Sequence, residues 1–200
     1  MSFLKNLFAG KVEETTVDFD TYASLPIYQM LNEDAPFSDW RPSDVDIPDD
    51  LEDFFKIYTW MYQMYMFFML TAQKYGYDIA NRALTLQKER LSKGSEYLAA
   101  QLGAGLSEIH EIIARQTTDE TKIVEVEGKN VEVPVEYVLA VELLVTSDES
   151  PFHATKEDIE NDDPLEFNDA DFALARCLAH GKDSAMAGFE PLIKNVRLVL

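Results

Sequence analysis

Cys177 and His180 stand three residues apart, and on a helix that spacing puts a thiol and an imidazole on one face. A cysteine nucleophile needs a base beside it, a depressed thiol pKa and a third group to orient the imidazole. The simpler expectation is a buried cysteine and a histidine near a helix C-terminus, where the helix dipole favours the charged ring. His110 adjoins Glu111, and sequence neighbours on a helix do not face one another. His153 and Glu157 are four apart, but His153 falls in a loop before a helix cap. No histidine therefore has a partner at a metal-ligand spacing.

The run ENDDPLEFNDAD, ending at Asp171, is the other chemical candidate. A calcium loop of the EF-hand kind needs acids at fixed alternating positions, a central glycine and a terminal glutamate. The central glycine is missing and Pro164 interrupts the run. The chain also lacks a phosphate-cradling glycine loop and a nucleophile elbow. The sequence therefore predicts no catalytic residue, no metal site, no cofactor and no enzyme activity.

The dominant element is the segment FFKIYTWMYQMYMFFML, residues 54–70, in which only Lys56, Thr59 and Gln63 are not large and apolar. It is too long for an ordinary strand. Glu52, Lys56, Thr59 and Gln63 are spaced 4, 3 and 4, which marks one helix face. The first half thus reads as a helix with a thin polar line, the second as apolar all round. A membrane span is not expected. The uncharged stretch 57–73 would extend about 26 Å as a helix, short of a hydrocarbon core of roughly 30 Å, and acids rather than bases crowd its start. An amphipathic helix buries three to four residues in seven, and this one offers more. The excess predicts a central core helix, with Phe54, Tyr58, Trp60, Met61, Tyr65, Met66, Phe67 and Phe68 as candidates for an interface with a second copy or a partner protein.

The formal net charge is −20, and segments 33–53 and 142–171 supply −8 and −10 of it. Such a surface argues against direct nucleic-acid binding, which needs a basic footprint. Both segments are rich in Pro, Asn, Asp and Ser, as expected of solvated loops and helix N-termini. The sharper alternative is a negative face for a basic partner, or a mimic of DNA phosphates, with Asp44, Asp46, Asp49, Asp50, Asp162 and Asp163 as candidates. The single cysteine excludes an internal disulfide and fits a reducing compartment. The N-terminus MSFLKNLFAGK lacks the pattern of a secretory signal. A cytoplasmic protein is expected, or a virion component if phage-encoded.

Along the chain the pattern predicts a short amphipathic helix over 1–9 and another over 24–32 with Ser24 as its cap. The long helix follows, from Pro48 or Asp49 to about Tyr75, and then a helix over 78–93 opened by Asp78. A third is expected over 96–102, and a restart from Ser107 to Arg115. The alternation KIVEVEGKNVEVPV around Gly128 predicts a β-hairpin. Residues 136–145 are ambiguous and lean to helix. A capping box is expected at Thr155 to Asp158. Asn168 or Asp169 should cap a helix ending at His180, with Gly181 as its stop, and 191–200 reads as a short helix or a final strand. The expectation is a single mainly α-helical α+β domain over 1–200, bundle-like around helix 49–75. Its helical part covers about 1–117, and a hairpin near 121–135 lies in the remainder. The expected function is non-enzymatic protein binding, as an oligomer or a subunit of a bacterial or phage assembly. The alternative is an acidic inhibitor of a basic protein.

Overall fold

The computed structural model describes residues 15–31, 40–94, 100, 105–112, 121–126, 128–146 and 168–199. The helices expected at 1–9 and 96–102, the capping box at 155–158, and Asp162 and Asp163 lie outside the described residues. Asp18 ends strand β1 (Thr15–Asp18) and starts α1 (Phe19–Ala23), because its carboxylate accepts from both the Thr21 amide and the Thr21 hydroxyl at 2.8 Å. These bonds favour the charged carboxylate and lower its pKa. Ser24 closes α1, its amide meeting the carbonyls of Thr21 and Tyr22, and also stands at the start of the next helix, where its carbonyl accepts from the Tyr28 amide at 2.9 Å while its hydroxyl turns back to the Asp20 carbonyl. Helix α2 (Leu25–Leu31) follows at once.

The apolar segment forms α3 (Glu52–Tyr75), whose N-cap is Leu51, so it starts about one turn later than the charges suggested. Gly76, at φ 89°, breaks it, since that backbone conformation strains any residue with a Cβ. Helix α4 (Tyr77–Gly94) begins directly after, with Asp78 in its first turn and not at its cap. Helix α5 covers 105–112. The hairpin pairs β2 (Thr121–Val126) antiparallel with β3 (Lys129–Pro134), and Gly128, at φ 73°, supplies its turn. The ambiguous segment is α6 (Val135–Thr146). Val138, Leu139, Ala140, Val141, Leu143 and Leu144 are all buried, so the helix is enclosed and its apolar run is continuous instead of striped.

Helix α7 (Asp169–Asn195) opens on Asn168, one of the two caps expected from the sequence, and closes there a capping box that the sequence reading does not name. The Asn168 side chain accepts from the amides of Ala170 and Asp171 at 2.9 and 3.0 Å, and Asp171 accepts from the Asn168 amide at 2.7 Å. The helix does not stop at Gly181. It runs on to Asn195, past Pro191, and gives way to β4 (Val196–Val199). Gly181 is a place of close approach: an added Cβ would lie 2.6 Å from Thr59 Cγ2. Strand β4 pairs in parallel with β1, Thr15 opposite Val196 and Asp18 opposite Val199.

The architecture is mainly α with two small sheets. Helix α3 is its axis, packing on α4 and α7, while α6 packs on α7. Lys74, at the C-terminal end of α3, donates to the carbonyls of Lys194 and Val196 at 2.9 and 2.8 Å. A cation there satisfies acceptors that the end of a helix leaves open.

The polar line of α3 starts at the surface with Glu52 and half-buried Lys56, but its second half does not face water. Thr59 and Gln63 are 0% and 3% exposed and form the seam against Gly181. No residue from Phe54 to Ala72 is exposed, so much of the apolar excess is taken up within the chain, while Phe54, Tyr58, Trp60, Tyr65 and Met66 keep part of their surface open.

Candidate functional site

Of the eight interface candidates, Met61, Phe67 and Phe68 are buried core residues. Phe54, Tyr58, Trp60, Tyr65 and Met66 are half-buried and pack against the main core. Tyr58 packs on Phe54 with ring centroids 4.4 Å apart and planes tilted by 39°, and its hydroxyl donates to Glu108 of α5 at 3.0 Å. Trp60 carries the Lys56 ammonium 4.9 Å from its ring centroid. Tyr65 and Phe68 turn toward His110. These five pack against the core and keep part of their surface open.

Cys177 is fully buried and free. Burial pushes its thiol up to about 12, against a smaller opposing pull from Arg41 and Arg176. A nucleophile needs the opposite shift, so the thiol is a packing group. Native protein is expected to resist alkylation by iodoacetamide at neutral pH and to react once unfolded in guanidinium. Rapid labelling of the native state would place Cys177 among reactive thiols instead. The Tyr62 hydroxyl is also held well above its usual range, by burial first and then by Glu136. Both groups have pKa values higher in the folded than in the unfolded state. Their stabilisation is complete below the ordinary thiol value of 9.0 and is lost as pH rises toward about 12. Urea midpoints measured between neutral and strongly alkaline pH are expected to fall across that window. A flat profile would contradict this.

A deeply buried charge cluster among the described residues was not legible in the sequence. Glu136, in the first turn of α6, is 2% exposed. It accepts from the Tyr62 hydroxyl of α3 at 3.1 Å and from Lys182 of α7 at 2.5 Å. The only clue was a lone carboxylate opening an apolar run. The cluster ties three helices together and has no nucleophile beside it among the described residues. Among these residues no group of three or more His, Cys, Asp or Glu side chains could hold a metal ion. No helix among them is long and apolar enough to cross a membrane.

The acidic candidates separate into two kinds. Asp44 is paired with Arg176 of α7 at 2.8 Å, and that guanidinium holds its carboxyl below the usual carboxylate range, so it is a tether. Asp46, Asp49 and Asp50 are exposed, and with Glu52 and Asp53 they form a ridge at the start of α3. Ile47 and Leu51, buried between them, pin the ridge to the core. No aspartate caps α3, because Leu51 holds that position and no side-chain cap bond is made. Glu52 meets Arg41 at 3.7 Å, while Asp46, Asp49, Asp50 and Asp53 make no ion pair among the described residues.

No family model matches the sequence, and no curated protein or solved structure is detectably similar to it.

Proposed function

We propose that the protein acts without catalysis, as a protein-binding subunit of a larger assembly, and that the acidic ridge at the start of α3 meets a basic partner. The observation carrying this reading is that Asp46, Asp49 and Asp50 are exposed on a buried footing and cap no helix. Helix capping would have explained acids at this place, and α3 begins without it. Like charges held together repel one another, and a complementary positive surface relieves that repulsion while steering encounter.

The test is a capture from native lysate with immobilised wild type and with the Asp46→Asn, Asp49→Asn, Asp50→Asn, Asp53→Asn variant. Asp44 is left intact because it tethers α7. The wild type should retain a basic protein at low salt and release it as salt shortens the screening length to below about 8 Å. The variant should retain much less at low salt. Equal capture by both proteins would remove the ridge as an interface.

A further inference from the structure

Between α3, α4 and α5 lies a cavity of about 220 Å³. An engineered apolar cavity of about 150 Å³ accepts benzene, so this one has room for one aromatic ring and a short tail. Met64, Tyr65 and Phe68 of α3 and Leu106 of α5 line it. Tyr65 and Phe68 lie nearly parallel at 21°, with centroids 6.5 Å apart. His110 stands edge-on to both, at 5.8 and 6.1 Å. This lining favours a flat, unsaturated guest.

The far wall is built by α4. Asn81, Leu84 and Lys88 all line the cavity, and their spacing of 3 and 4 puts them on one helix face. Lys88 makes no ion pair among the described residues, and neither Asn81, Lys88 nor His110 has a side-chain hydrogen bond to any of them. An apolar hollow with a few convergent polar groups is the usual form of a small-molecule site. In a chain of net charge −20, an unpaired ammonium at such a hollow selects for charge as well as shape.

We propose that this cavity binds a small aromatic carboxylate, its ring between the α3 aromatics and Leu84, its carboxylate on Lys88. The Tyr65 hydroxyl is neutral at physiological pH, and burial, then neighbouring Tyr77, raise its pKa further above the ordinary value of 10.0. Twelve positions or more along α3 separate the acidic ridge from Tyr65 and Phe68, about 18 Å along a helix. The two surfaces are thus independent, and one can fail without the other.

Isothermal titration with 3-phenylpropionate, and with phenethylamine as the cationic counterpart of similar shape, tests the assignment. The carboxylate should bind saturably in the sub-millimolar range and the amine far more weakly. Lys88→Met keeps the aliphatic stem and removes the charge. It should weaken the carboxylate about tenfold, the loss of one charge-assisted hydrogen bond, while leaving the thermal midpoint of the free protein in place. Leu84→Trp, which fills the hollow, should abolish binding. Should that variant not fold, Lys88→Met still decides the matter. Absence of saturable binding at millimolar 3-phenylpropionate, equal affinity for the amine, or unchanged affinity in Lys88→Met would each overturn the proposal.

Discussion

Lys182→Met is expected to destabilise the protein by about 2 kcal/mol. Removing one partner of a buried ion pair costs about 3–5 kcal/mol when the remaining charge is sealed from water. The Glu136 side chain is 3% exposed, but that of Lys182 is 40% exposed, so water can replace part of what the ammonium supplied. The value is lowered accordingly. Glu136 keeps the Tyr62 hydroxyl bond and sits where the N-terminal end of α6 favours negative charge. Glu136→Gln should therefore cost only about 1 kcal/mol, since the amide still accepts from Tyr62. Combining the two should recover part of the loss in Lys182→Met, because no unpaired carboxylate remains. Urea titrations with matched slopes give these differences. A Lys182→Met protein as stable as wild type would show that the carboxylate does not depend on its ammonium.

Gly181→Ala should cost about 1–2 kcal/mol, against the ordinary trend. In an open helix the change gains about 1 kcal/mol from helix propensity. In α7 the new methyl would lie 2.6 Å from Thr59 Cγ2, and Thr59 is 0% exposed in the seam with α3. Overpacking of this kind costs about 1–3 kcal/mol, and the clash outweighs the gain. Thr59→Ser deletes the offending methyl. On the Gly181→Ala background it should restore stability, which makes the pair a double-mutant cycle with strong coupling. A Gly181→Ala protein more stable than wild type would mean that the two helices separate at little cost.

Local pattern carried most of the helices. The apolar density of 54–70, the alternation about Gly128 and the Asn168 cap each name their own element, because period and capping are short-range properties. What failed was long-range. The 4, 3, 4 spacing through Thr59 and Gln63 located a face but not what it met, and it met Gly181 of α7. Gly181 itself reads alike as a helix stop or a close approach until the partner helix is known. Strands β1 and β4 are four residues each, too short for a pattern, and each is a strand only through the other. The same applies to the sites. Exposed acids are legible as a charge run, but Asp44 as a tether depends on Arg176. The cavity wall of Asn81, Leu84 and Lys88 looks like an ordinary helix surface until α5 lies across from it.

The parallel pairing of β1 with β4 bears on how the molecule comes into being. Thr15 must wait for Val196, with almost the whole sequence between them. Contacts so distant close late, after nearer ones have shortened the effective loop. At about 5–20 residues per second of synthesis, β1 leaves the ribosome on the order of ten seconds or more before its partner exists. Through that interval its backbone groups lack their partner, the kind of segment that chaperones hold and that nascent chains misuse to pair with one another. Helix α4 can dock on α3 meanwhile, but α7 is completed only at Asn195, directly before β4, so the strand pair closes together with the last helix.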